Sequence, residues 1–390
     1  MAPRPPEPNG IRPAQAYAII AATAVSGVLP QLQPLLLGTL VSEGRLTIGQ
    51  IGPASTAETL GMAVAATLAG ALLPPKRLRF IATAALCGVA VLSVLTTTVS
   101  GTPILLVRGL SGACGGLLVW LVFGMLARID SPARISGIYG VGQGACGVTL
   151  MFSLSSFVLP RFGASGGYFA IAGVSLAMLA AVLFMPRSYA PLETKARIAL
   201  PNLPGAMALI GAGVYGAAVV ALWAYLLPIG LAKGYSRETV SLALTISIAF
   251  QMLAGFAAIR FAHLRPATTL FCCLLGSLLA VAAITAVASP LVFIAAMTVI
   301  SFLYVLAVSY QVPFNISLDA TRRGVMLLSG AQIFGVSCGP LLASIFVTRS
   351  ALPALWSSAA LFAAALVCLL SCLPLKVVHD QRAVPQPALG

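Results

Sequence analysis

Charge is what this sequence has least of. Its 390 residues include 8 Asp and Glu and 22 Lys and Arg, so 8% are charged, where soluble domains average about 25%. With a mean hydropathy of +1.03, that scarcity excludes a water-soluble globular domain and makes a lipid bilayer the solvent. Histidine is nearly absent. His263 and His379 fall in polar segments outside the apolar runs, which leaves no His-based catalytic or metal set. All eight cysteines (Cys87, Cys114, Cys146, Cys272, Cys273, Cys338, Cys368, Cys372) lie inside apolar runs without metal-ligand spacing; they read as small packing side chains. No phosphate-cradling glycine loop occurs, so ATP does not drive the protein. No nucleophile–base pair is visible either. The expectation is a non-enzyme without cofactor or metal. The net charge of +14 would suggest nucleic acid in a soluble chain. Here it reads as basic loops on one side of a membrane, and no nucleic-acid partner is expected.

What fills the chain is a series of apolar runs of about 20 residues, the length that crosses a bilayer. Twelve can be delimited: Ala14–Leu40, Ile48–Leu73, Phe80–Val99, Pro103–Ala127, Arg134–Leu159, Gly166–Pro186, Pro204–Leu231, Thr239–Ile259, Pro266–Ala288, Pro290–Phe314, Gly324–Thr348 and Pro353–Leu373. The first is too long for a signal-peptide core and lacks a cleavage site, so it reads as an uncleaved span. Alternate loops divide the basic residues 16 to 5. The rich set holds both tails, Lys76, Arg77, Arg79, Arg128, Arg134, Arg187, Lys195, Arg197, Arg260, Arg265, Arg322 and Arg323. The poor set is Arg45, Arg161, Lys233, Arg237 and Arg349. The positive-inside rule then puts both termini in the cytoplasm. The longest polar break, RSYAPLETKARIALPNL, follows six runs and precedes six. The expected layout is a disordered tail (1–13), a six-helix bundle (14–186), a cytoplasmic linker (187–203), a second bundle (204–374) and a cytoplasmic C-terminal tail (375–390).

The halves repeat. The fifth run begins RISGIYGVGQGACGV and the eleventh RGVMLLSGAQIFGVSCGP, each with Gln nine residues after Arg, as Gln143 and Gln332. The fourth and tenth also open alike, GTPILLVRGL and ASPLVFIAAM. A period of six spans is that of two parallel repeats. These features together resemble the major facilitator superfamily of secondary transporters over nearly the whole chain. The loop GALLPPKRLRF keeps Gly70 and the basic residues of that family's G-x-L-x-D-R-x-G-R-R/K motif but lacks its Asp. Arg108-Gly-Leu-Ser-Gly112 matches the fourth-helix R-x-x-x-G pattern. The antiporter-associated G-x-x-x-G-P is absent from helix 5; Gly335–Pro340 carries it on helix 11 instead. The resemblance implies an all-α membrane protein, with twelve transmembrane helices in two six-helix bundles and a cavity lined by helices 1, 4, 5, 7, 8, 10 and 11.

Among the eight acids only Glu58 lies deep inside a run, and Arg108 is the only base within one. Ionisable groups inside the bilayer cost on the order of 2.5–3.5 kcal/mol on insertion scales and mark interiors or water-filled paths. Burial raises the pKa of a carboxylate and a nearby Arg lowers it, so a Glu that gains and loses an Arg is suited to carry a proton. Counted from the span starts, the two differ in depth by roughly 8 Å at 1.5 Å per residue. Glu58 and Arg108 are the expected proton-coupling pair; Arg108 alternatively takes an anionic substrate. Gln31, Gln33, Gln143, Trp223, Tyr225, Gln251, Tyr304 and Gln332 are the candidate substrate-binding residues, with packing, interhelical bonding or interface anchoring as their plain alternatives.

The expected protein is a monomeric, proton-coupled secondary transporter of the bacterial inner membrane. Its expected partners are a small-molecule substrate, a proton and the lipid bilayer. The favoured solute is an organic anion or amphipathic metabolite. Proton-antiport efflux of hydrophobic compounds and a non-transporting sensor are the alternatives.

Overall fold

The structure, a computed structural model, describes residues 11–129, 132–190, 202–261, 263–318 and 323–383. Among the described residues twelve long helices follow in order: α1 Pro13–Ser42, α2 Ile51–Leu72, α3 Leu78–Thr98, α4 Pro103–Leu126, α5 Pro132–Ser153, α6 Leu159–Ala177, α7 Leu203–Ala224, α8 Arg237–Arg260, α9 Pro266–Ala286, α10 Pro290–Leu318, α11 Arg323–Ser344 and α12 Pro353–Ala383; ten segments are long and apolar enough to cross a membrane. Short helices Leu179–Val182 and Leu226–Ala232 prolong α6 and α7. Large apolar side chains such as Leu106, Phe123, Leu183, Leu291 and Val367 face outward, as a lipid-facing surface requires. The protein is an integral, multi-pass membrane protein.

Several boundaries differ from the sequence reading. Residues 48–50 form a separate 3₁₀ turn, so α2 starts at Ile51. The run assigned to the fifth span continues through a π-helical turn, Leu154–Val158, into α6. The break comes at Gly163, whose φ of 60° and ψ of −161° suit glycine. There Glu43 Oε1 accepts the Ala164 N–H at 2.6 Å, satisfying a donor that the break exposes. α12 continues to Ala383, past the expected end at Leu373. The first ten residues and the linker from residue 191 to 201 lie outside the described residues.

The helices form two bundles of matching plan. α1 pairs with α5, and α7 with α11. α2 pairs with α4, and α8 with α10; α3 pairs with α6, and α9 with α12. α1 and α7 bury most of their length and the other apolar spans less than half, so each bundle is built around its first helix. The bundles meet along two seams that are counterparts in the repeat, α2 against α11 and α5 against α8.

Among the described residues, four side-chain hydrogen bonds cross between bundles, and all lie toward the end opposite the termini. Tyr225 OH accepts the Gly52 N–H at 2.9 Å. Thr56 Oγ1 donates to Ser337 O at 2.7 Å. Arg237 donates to Thr39 Oγ1 at 3.0 Å and to Ser42 Oγ at 2.7 Å. At the other end the second half of α2 is largely exposed, with Val64, Leu68 and Leu72 uncovered. The bundles are therefore bonded to one another at the far end.

The loop that lacks the motif Asp is held by backbone pairing within its own bundle. Lys76 and Ser188 form an antiparallel bridge. The Leu78 N–H reaches Arg187 O at 3.0 Å, and the Tyr189 N–H reaches Pro75 O at 2.9 Å. Arg79 Nε donates to Met185 O, and Arg128 Nε to Ala190 O, both at 2.6 Å. Tyr189 OH caps the clasp by donating to Leu121 O at 2.8 Å.

Candidate functional site

The site begins with the close approach of α2 and α4. A Cβ at Gly112 would lie 1.9 Å from Glu58 O, and one at Gly116 2.2 Å from Met62 O. Glycine at these points lets the backbones nearly touch, and the pattern that begins at Arg108 places them one turn or two beyond it. With α2 starting at Ile51, Glu58 lies seven residues in and Arg108 five residues into α4. The depth difference shrinks to about 3 Å, and the side chains meet directly.

Glu58 Oε1 pairs with Arg108 Nη2, and Arg108 Nε reaches Glu58 Oε2 at 3.3 Å. Both residues are at most 2% exposed. Gln33 Nε2 donates to Glu58 Oε2 at 3.0 Å, and its Oε1 accepts from Ser55 Oγ at 2.6 Å. Ser55 thus fixes the Gln33 amide so that its donor faces the carboxylate. The Arg108 guanidinium stands 5.2 Å above the Tyr168 ring of α6, a cation–π contact strengthened by exclusion of water. Arg108 Nη1 and Ser111 Oγ are buried without a hydrogen-bond partner. The cluster occupies the interior of the first bundle.

The remaining candidates separate into groups. Gln31 and Gln143 are half-buried where α1 and α5 cross; Gln143 Nε2 donates to Tyr139 OH at 2.5 Å, which contacts Ser26 Oγ at 3.4 Å. Gln251 is half-buried on α8, beside the α5 seam. Trp223 and Tyr225 are buried, and Tyr225 belongs to the far-end closure. Tyr304 packs edge-on against Tyr215 at 5.8 Å. Gln332 Nε2 donates to Gln311 Oε1, beside a cavity of about 30 Å³ that Gln311 and Asn315 help line. Gln33 and Arg108 go to the buried carboxylate rather than to a shared surface with the other amides.

Ser55, Tyr168, Thr56 and Ser337 escaped the sequence reading. Ser55 had a signal, since it precedes Glu58 by three residues and shares its helix face. Tyr168 had none, being one aromatic among many in apolar runs. Gly335 and Gly339 of the G-x-x-x-G-P pattern pack on Gly213 and Ala217 of α7, so here that pattern seats α11 against α7.

Comparison with solved structures fits this arrangement of helices. The nucleoside transporter NupG superposes with a TM-score of 0.70 at 12% identity, over 93% of this chain and 99% of that one. A bacterial homolog of the human lysosomal transporter Spinster, in an inward-facing, unoccupied conformation, superposes with a TM-score of 0.60 at 15% identity, over 94% and 95%. The chain has the major facilitator fold. No protein-family model and no curated protein matches its sequence. In this major facilitator fold the charged pair sits inside the first bundle, and its counterparts by the repeat, near Ala295 for Arg108 and Ile248–Gln251 for Glu58, hold no ionisable residue.

Proposed function

We propose that the protein is a proton-coupled secondary transporter that moves a small organic solute by alternating access. With the termini on the cytoplasmic side, as the basic-loop bias favours, the bonded far end faces outward. The observation that carries the reading is the division of labour along α2. Gly52 and Thr56, four residues apart, bind the opposite bundle, while Ser55 and Glu58, three apart, bind the interior of their own. One helix therefore bears both the ionisable group and two of the four far-end bonds between the bundles. Proton arrival at Glu58 releases Arg108 and frees α2 to shift in its seat. That shift costs the Thr56–Ser337 and Gly52–Tyr225 bonds and opens the far side.

The solute class narrows through Arg108. While Glu58 is ionised, the Arg108 guanidinium is engaged by it, stacked on Tyr168 and buried, so it offers no cation to an organic anion that arrives before the proton. An amphipathic, hydrogen-bonding metabolite is favoured. The amides Gln31, Gln143 and Gln251 speak against a pocket built for purely hydrophobic drugs. A monomer in a bacterial inner membrane accords with this reading.

The test is proton movement in proteoliposomes carrying a lumenal pH dye, challenged with a panel of small neutral and anionic metabolites. Wild type acidifies or alkalinises the lumen on addition of its solute. Glu58→Gln binds the solute but moves no protons. Full solute-driven proton flux in Glu58→Gln overturns the reading.

A further inference from the structure

α1 and α5 cross by a reciprocal exchange. Gly27 and Gln31 are four residues apart on α1, and Gln143 and Gly147 four apart on α5. Gln143 sits over Gly27, where a Cβ would lie 1.9 Å from its Nε2; Gln31 sits over Gly147, where a Cβ would lie 2.0 Å from its Oε1. Each amide occupies the space that the other helix leaves open by having glycine. The exchange brings two half-buried glutamines into one crossing.

That crossing is also where the second bundle arrives. A Cβ at Gly147 would lie 3.5 Å from Ile248 of α8, and one at Gly144 2.6 Å from Met252. The two glutamines thus flank the seam whose opening and closing define alternating access.

Their hydrogen bonding is unequal. Gln143 is engaged by Tyr139, whereas Gln31 Oε1 is buried with no partner. An unpaired buried acceptor costs about 1–3 kcal/mol. Gln31 is half-buried, and its last torsion is broad, as for any Gln, so the acceptor has rotational freedom. Pro30 and Pro34 bracket Gln31 and Gln33 inside α1 and remove backbone donors from this segment. Gln33 on the other side of the helix holds Glu58.

Resting on the transporter reading, we infer that Gln31 and Gln143 form a solute subsite for an uncharged group that donates a hydrogen bond, such as an amide N–H, a hydroxyl or a base edge. Gln31 supplies the acceptor. Gln143, oriented by Tyr139, supplies a second contact. Occupancy at Gln31 is felt at Glu58 through the proline-bracketed segment that carries Gln33.

Matched neutral and anionic probes test this on the purified full chain: uridine against uridine 5′-monophosphate, glucose against gluconate, and benzamide against benzoate. Binding is read by thermal shift and proton movement in proteoliposomes. Only neutral members are expected to bind. Gln31→Leu and Gln143→Leu are each expected to weaken that binding about tenfold, the loss of one hydrogen bond. The ligand-free Gln31→Leu protein is expected to melt no lower than wild type, because the unpaired acceptor is gone. Preference for the anionic members, no binding by any neutral member, unchanged affinity in Gln31→Leu, or a fall of its ligand-free melting temperature overturns the subsite. Neutral binding that depends on Gln31 but moves no protons overturns the coupling reading and supports the subsite.

Discussion

Thr56 and Glu58 stand two residues apart on α2 and bind opposite halves of the protein. Thr56 donates across the seam to Ser337 O at 2.7 Å, while Glu58 is paired with Arg108 inside the first bundle. A helix turns about 100° per residue, so such neighbours necessarily face different surroundings. Ionisation on one face is thereby joined to closure on the other.

The pair should behave as a buried unit. Arg108→Ala strands the Glu58 carboxylate and is expected to cost about 3–5 kcal/mol, seen as a lower melting temperature in detergent. Glu58→Gln with Arg108→Gln removes both charges and should recover most of that loss while remaining uncoupled. A double variant no more stable than Arg108→Ala would show that the two are not a unit.

Gly112 is where space decides. Gly112→Ala places a methyl against Glu58 O and should destabilise by about 1–3 kcal/mol. Gly140→Ala on α5, where a Cβ meets nothing within 4 Å, should be neutral or stabilising by about 0.5–1 kcal/mol. Thermal melts of the two variants separate packing from propensity.

The far-end closure is held by few bonds, so it should respond to the loss of one. Thr56→Val keeps the shape and deletes the bond to Ser337, worth about 0.5–1.5 kcal/mol. The far-side-open population should rise about two- to tenfold. A membrane-impermeant thiol reagent should then react correspondingly faster with a cysteine placed at buried Leu227. An unchanged rate would remove Thr56 from the closure.

The terminal-side clasp gives a pH prediction. Burial pushes the Tyr189 phenol above its ordinary value, and Arg128 beside it offsets only part of that rise. Folding therefore favours the protonated phenol. Its contribution is full below about pH 10, the unfolded value, and is lost as pH rises through the folded value. Tyr189→Phe should lack that alkaline loss and cost about 1 kcal/mol at neutral pH. Tryptic cleavage at Arg187 and alkaline melts report both.

Much of this was legible in the sequence for simple reasons. Most of the helices follow from apolar length, ten segments of the described residues being long and apolar enough to span, and the Glu58–Arg108 pair follows from rarity, since a single acid and a single base inside a membrane seek each other. The repeat located Gln143 and Gln332 on corresponding helices. The rest depends on rotation about helix axes. Near-continuous apolar character leaves no polar stripe to show which way α1 points, so Gln31 and Gln33 read alike although they face different partners. Tyr225 read as a cavity residue because its closing partner, the Gly52 N–H, is a backbone group that no side-chain pattern reveals. Tyr168 was silent for the same lack of contrast.

The most direct test of the link between Glu58 and far-end closure needs no solute. Spin labels introduced as non-canonical residues at Thr102 and Lys233, on opposite bundles at the far end, report their separation in reconstituted protein from mildly alkaline to mildly acid pH. Acid should shift wild type toward the longer distance, and Glu58→Gln should hold the longer distance throughout, without response to pH. A pH-dependent shift in Glu58→Gln equal to that of wild type would contradict that link.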